Sequence, residues 1–160
     1  MGKFVVGIGN VLLKDEGIGC QVVHALEGIP LPDVKIIDGG TCLDIPQLLE
    51  DADKLVIVDA VEGGGTPGQI YRFHLEDITL EQKPFLSLHD VGLMDSLKLM
   101  QLWHTDFSGI GEAVIIGVEP KEIDWGLELS PELQEKMPQI IDAVLSELNT
   151  SPNLSLEGEE

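Results

Sequence analysis

Positive charge is scarce in this chain: nine Lys and Arg stand against 29 Asp and Glu, a formal net charge of −20 over 160 residues. A field of that sign repels nucleic acid and anionic membrane, and favours cationic ligands or basic protein segments. Long hydrophobic runs are also missing, since no stretch reaches the ~18 consecutive apolar residues that a membrane-spanning helix needs. Only two cysteines occur, Cys20 and Cys42. They lie too far apart to form a C-x-x-C redox pair or a metal clip. The opening MGKFVVGIGN enters a strand-forming run with no apolar region leading to a small-residue cleavage site. These absences predict a cytoplasmic protein with reduced thiols, binding neither nucleic acid nor membrane.

What is present suffices for one domain. An apolar fraction of 43% with 18 glycines suits a folded globular chain. Residues 1–149 are expected to form a single domain. The segment TSPNLSLEGEE, 150–160, is polar and acidic and is expected to be disordered.

Five apolar, β-branched runs predict strands: Phe4–Ile8, Val34–Ile37, Leu55–Val58, Gln69–Phe73 and Ala113–Val118. Four are nearly continuous in hydrophobicity, as strands buried on both faces should be. Helical spacing lies between most of them. Ile18, Val22 and Leu26 mark one helix, and Ile45, Leu48 and Leu49 a second. Ser87 with Asp90 predicts the start of a third, carrying Leu93, Leu97 and Met100. Ser130-Pro131 opens a last helix with Leu133, Met137, Ile141, Val144 and Leu148 on one face, and Pro138 is expected to kink it or start a new turn.

This alternation predicts a three-layer α/β/α fold around a mixed five-stranded sheet. The mixture follows from one short connection. Between Asp59 and Gln69 lies only AVEGGGTPG, too little for a parallel crossover, so the fourth strand should run antiparallel to the third.

The stretch GIGNVLLKDEGIG, residues 7–19, has the outline of a nucleotide-binding loop. It fails as one: a G-x-G-x-x-G motif needs glycine where Leu12 stands, and Asp15 and Glu16 would face the pyrophosphate. Ligands of open α/β sheets bind at the carboxyl ends of the parallel strands. There this sequence gathers acids instead: Asp15 and Glu16 after the first strand, Asp38 at the end of the second, Asp59 at the end of the third. His89, in the first turn of the third helix, is expected on the same rim. Crowded carboxylates need a compensating positive charge. A divalent cation serves, and a Glu–Asp–His set suits zinc, nickel or iron.

Blander roles compete for these residues. Asp15 reads as the N-cap of a helix starting at Glu16, accepting a bond from the N–H of Gly17 or Ile18. His24, His74 and His104 read as surface or half-buried residues, and Cys20 as packing. Cys42 is a weak nucleophile candidate with no paired base in view. The common edge of Glu16, Asp59 and His89 sets those three apart.

In order, GIGNVLLKDEGIG, IIDGGT, VIVDAV, SLHDVGL and IIGVEPKEIDWGLELSPEL resemble the motifs of the hydrogenase maturation endopeptidases, over roughly residues 3 to 148. The resemblance implies a mixed five-stranded sheet between helix layers. It also implies removal of a C-terminal extension from the precursor of a nickel–iron hydrogenase large subunit, after nickel insertion. The family's metal-contacting acid falls on Glu16, its strand-end Asp on Asp59 and its His on His89; the three would be both metal ligands and catalytic residues. The substrate-recognising turn falls on Asp38, Gly39, Gly40 and Thr41. Nickel would arrive in the precursor, with no organic cofactor. Two alternatives remain at this point: a non-catalytic metal-binding chaperone using the same rim, and a related peptidase acting on other proteins.

Overall fold

The computed structural model describes residues 2–40, 53–74 and 112–149. Five strands form one sheet: β1 (Lys3–Ile8), β2 (Val34–Gly40), β3 (Lys54–Ala60), β4 (Ile70–His74) and β5 (Glu112–Val118). Their order across the sheet is β2-β1-β3-β5-β4. The first four in that row are parallel, and only the β4–β5 pair is antiparallel. The expected reversal after β3 is therefore present, and the mixed α/β sheet is the predicted one. The return strand does not lie beside β3, however. The connection 61–69 arches over the end of β5, where Val61 N–H donates to Val118 O at 3.0 Å and Gly68 N–H to Glu119 O at 2.8 Å. β4 then descends along the far side of β5 as the edge strand.

Among the described residues two helices cover one face of the sheet, α1 (Ile18–Leu26) and α2 (Pro131–Leu148). Alternate strand residues Val5, Val56, Val58, Val114, Ile116 and Val118 pack with Ile18, Val22, Val23 and Leu26 of α1 and with Leu133, Ile140, Val144 and Leu148 of α2 in one buried core. Side chains of the opposite register, Val6, Leu55, Ile57 and Ile115, are equally out of water. Burial on both faces explains the unbroken apolar runs. The helices expected around Ile45–Leu49 and Ser87–Met100 lie outside the described residues, as do His104, Cys42 and the segment 150–160.

α2 runs through Pro138 as one helix. Pro138 removes one backbone donor, but the buried face continues from Leu133 to Ile140 and Val144 on either side of it. That shared packing carries the helix across the proline without a break. Ile140, rather than Met137 or Ile141, is the fully buried member of the middle turns; the other two are partly buried.

At the amino end of the sheet, Lys54 is buried between two carboxylates, Glu112 Oε1 at 3.1 Å and Glu147 Oε2 at 2.8 Å. Arg72 closes on Glu147 through Nε at 2.6 Å and Nη2 at 3.0 Å, and His74 on Glu112 at 3.0 Å. Burial alone would push the Glu147 carboxyl up, yet the bonds to Arg72 and Lys54 outweigh it and hold it at about 2. This cluster ties α2 to β3, β4 and β5, at the opposite end of the sheet from the acidic rim.

Candidate active site

The rim is assembled where β1 and β3 end side by side. Gly7 pairs with Val58 on one side and with Asp38 on the other, so Asp38 and Asp59 flank the carboxyl end of β1 within a residue of one level. β1 then turns at Gly9, whose φ of 139° is open to glycine, and a Cβ there would lie 2.0 Å from the Glu16 carbonyl oxygen. The chain returns through a 3-10 turn, Lys14–Gly17, before α1 begins at Ile18. Gly19 fixes how closely α1 sits on the sheet: a Cβ on it would meet Val58 O at 2.2 Å and Ile8 O at 2.5 Å. Glycine spacing thus presses the Glu16 turn onto the ends of β1 and β3.

Glu16 and Asp59 are both buried at this end, Glu16 completely. Glu16 Oε1 accepts the Asn10 N–H at 2.5 Å, and Asp59 Oδ1 accepts the Ala60 N–H at 2.8 Å. Each carboxylate is thereby held in one orientation by backbone, as charge-assisted bonds do well. Among the described residues no group of three His, Cys, Asp or Glu is gathered to hold a metal ion. The third expected ligand, His89, lies outside the described residues.

Asp15 does not do what its position predicts. Helix α1 begins three residues after it, its N-cap position is Gly17, and no side chain caps it. Asp15 is instead fully buried and reaches across the fold. Its Oδ2 accepts the N–H of Lys121 at 2.8 Å, the N–H of Glu122 at 2.9 Å and the Ser130 hydroxyl at 2.8 Å; its Oδ1 accepts the Ser130 N–H at 2.7 Å. Backbone pairing continues the seam: Asp15 N–H donates to Glu122 O at 3.0 Å, and Lys14 N–H to Gly126 O at 2.9 Å. Lys14 holds a left-handed φ of 49° there, with its Nζ on Glu122 Oε1 at 2.8 Å. The Asp15 carboxylate fastens the strap 121–130 to the turn that carries Glu16. Ser130 occupies the N-cap position of α2, but its hydroxyl serves Asp15 instead of the helix.

Asp38 has a partner that the sequence did not suggest. His24 of α1, 57% exposed at its side chain as a surface histidine should be, lies 2.8 Å from Asp38 Oδ2 through Nε2. Gly39 and Gly40 complete β2, and Thr41 lies outside the described residues. His74 is half-buried against Glu112. Cys20 is buried, its Sγ 3.6 Å from the Gly9 carbonyl, which is a packing role.

One acid on the rim escaped the sequence reading. Glu119 follows β5, and its Oε1 accepts from Gly63 N–H at 2.9 Å, Gly65 N–H at 3.1 Å and the Tyr71 hydroxyl at 2.5 Å. Burial and then the bond to Glu119 push the Tyr71 hydroxyl up to about 12, so it stays a donor. Glu119 shapes the glycine-rich connection that borders Asp59. An acid just past a strand end was its visible signal.

A family model described as HycI, hydrogenase maturation protease, matches residues 20–147. The hydrogenase 2 maturation protease of Escherichia coli K12 is 32% identical over 157 residues, spanning 94% of this chain and 93% of that protein. The hydrogenase expression/formation protein HupD of Bradyrhizobium diazoefficiens is 33% identical over 150 residues, 86% of this chain and 73% of its own length. Among solved structures, the hydrogenase maturating endopeptidase HybD from E. coli aligns with a TM-score of 0.72 at 29% identity, over 93% of each chain. The NiFe hydrogenase maturation protease HybD from Thermococcus kodakarensis aligns with a TM-score of 0.73 at 26% identity, over 92% of this chain and 99% of that one. Sheet order, ordered motifs and sequence agree, and the chain belongs to the hydrogenase maturation protease family, a family of peptidases.

Proposed function

We propose that this peptidase removes the C-terminal extension of a nickel-loaded precursor of a nickel–iron hydrogenase large subunit. Glu16, Asp59 and His89 meet the nickel that the precursor brings, and Asp38, Gly39, Gly40 and Thr41 recognise the polypeptide around the scissile bond. The observation that carries this reading is the division between two adjacent buried acids. Asp15 is committed to the strap, whereas Glu16 and Asp59 are buried together at the ligand-binding end of the sheet, each oriented by a backbone N–H.

The donor chemistry fits the proposed cargo. Two carboxylates and an imidazole suit a borderline divalent cation such as nickel. Nickel in the precursor supplies Lewis-acid polarisation where it touches the substrate. The chain's own residues do the positioning. Asn10 N–H fixes the Glu16 carboxylate and Ala60 N–H that of Asp59, so neither must reorganise when the cargo arrives. Asp38, oriented by His24, presents a negative group to a basic residue of the precursor.

The test is incubation of the purified protein with nickel-loaded precursor and mass measurement of the product. Loss of the extension is expected with the wild-type chain, and Glu16→Gln and Asp59→Asn should remain folded and leave the precursor uncut. A stable complex without cleavage would instead make the protein a chaperone for a metallated partner.

A further inference from the structure

The large apolar side chains exposed among the described residues are Trp125 at 74%, Leu127 at 66%, Leu12 at 49% and Val11 at 37%. They come from two stretches more than a hundred residues apart, yet backbone bonds stitch these together. Gly126 N–H donates to Leu12 O at 2.9 Å, and Leu13 and Gly126 form a parallel bridge. The Gln21 amide reaches Leu127 O at 3.4 Å. Gly17 packs against Val11, where an added Cβ would come within 2.6 Å of its α-carbon. The four side chains therefore sit on the turn that carries Glu16 and on the strap bonded to it.

Such exposure does little for the fold, and large apolar side chains exposed together on two paired backbone segments mark an interaction site. The surface is also held still, because Asp15 fastens the strap through three backbone N–H groups. A preset aromatic anchor loses little freedom on binding. The charge flanking the two strap side chains is acidic. Asp124 and Glu128 are exposed on either side of Trp125 and Leu127. The nearby cations are engaged already, Lys14 with Glu122 and Lys121 with Glu132.

We propose that Val11, Leu12, Trp125 and Leu127 form the docking surface for the precursor's polypeptide beside the scissile bond. It takes an apolar side chain on Trp125 and Leu127, with a neighbouring Lys or Arg facing Asp124 and Glu128. The proposal rests on the functional reading above and adds the surface and the chemistry of the segment it accepts.

Steady-state cleavage of the nickel-loaded precursor tests it. Trp125→Ser/Leu127→Ser should raise KM tenfold or more, equivalent to ~1.4 kcal/mol, with kcat within about twofold and unchanged thermal stability. Asp124→Asn/Glu128→Gln should raise KM less and weaken its dependence on salt. In a Trp103→Phe, Glu16→Gln background, Trp125 emission should shift to shorter wavelength when precursor is added. Wild-type cleavage with unchanged KM in the Trp125/Leu127 variant overturns the docking surface and leaves the functional reading standing. So does a wild-type dimer, formed without precursor, that dissociates on the same substitutions, since a second copy would then be the occupant. Failure of the wild-type chain to bind or cut precursor overturns the functional reading, and the docking surface with it.

Discussion

Replacing Asp15 with alanine removes four acceptor contacts at once, and their burial sets the cost. Lys121 is exposed and Glu122 half-buried, so water can replace the carboxylate at those two N–H groups at little loss. Ser130 is different: it is 2% exposed, and both its N–H and its hydroxyl donate to Asp15. A buried donor left without an acceptor costs roughly 1–3 kcal/mol, and bonds to a charged group lie in the upper part of that range. Two such donors give about 3–5 kcal/mol for Asp15→Ala. A helix cap would be worth only about 0.5–2 kcal/mol. For a domain of this size the loss corresponds to a fall in Tm of about 6–20 °C.

Asp15→Asn should fall between. Its single carbonyl can still accept the three donors of Oδ2, while its NH2 meets the Ser130 N–H as donor against donor. Urea unfolding followed by far-UV circular dichroism measures both variants, provided the denaturant slope is unchanged. An Asp15→Ala loss below about 1.5 kcal/mol, or an Asn variant less stable than the alanine one, would refute the assignment of this carboxylate to the strap.

Two more perturbations follow from the same structure. Glu147 titrates near 2 in the folded protein, below the ordinary glutamate range, so its contribution is complete above that range and is lost as pH falls toward 2. Unfolding free energy should therefore decline by on the order of 2 kcal/mol between about pH 4.5 and 2 through this group, and Glu147→Gln should flatten that part of the profile; an unchanged slope would exclude the group. Gly19→Ala places a methyl on the backbone oxygens of Val58 and Ile8, which cannot step aside as a flexible side chain could. It should cost at least about 1–3 kcal/mol and impair cleavage by lifting α1 and the Glu16 turn, and a stable, active variant would show that the turn tolerates displacement.

The strands were legible because a sheet buried on both faces writes its position in continuous apolar runs. The direction of β4 was legible because AVEGGGTPG is too short for a crossover. Its place beyond β5 was not, since strand order depends on the bonds that Val61 and Gly68 donate to the end of β5 and that Gln69 O accepts from Glu119 N–H. The rim acids were visible as a class, while Asp15 was misassigned. A short acid just before a helix looks like a cap, and its real partners lie 106 to 115 residues away. Lys54 and Glu147 stayed hidden because each looks like an ordinary boundary residue until the two meet in the core. His24 was placed correctly on the surface, but its contact with Asp38 belongs to the docking of α1 against β2.

Why two acids stand side by side in this turn follows from its geometry. In a 3-10 turn successive side chains point about 120° apart, so neighbours are sent to different surroundings. One goes to the strap and the other to the rim, and their lengths matter differently. Asp15 fills a pocket whose four donors already lie at 2.7–2.9 Å, with no room for another methylene. Asp15→Glu should therefore overpack and lose about 1–3 kcal/mol, and activity should fall only as the folded fraction does. Glu16→Asp draws the carboxylate back by roughly one C–C bond, ~1.5 Å, while the amide it accepts from, Asn10 N–H, is half-buried and can be satisfied by water. It should keep its stability to within about 1 kcal/mol and cleave precursor slowly. Melting curves and cleavage rates measured together separate the two acids. Loss of stability in Glu16→Asp with normal turnover per folded molecule would make Glu16 a structural residue. A stable Asp15→Glu that no longer cuts would move the catalytic role to its neighbour.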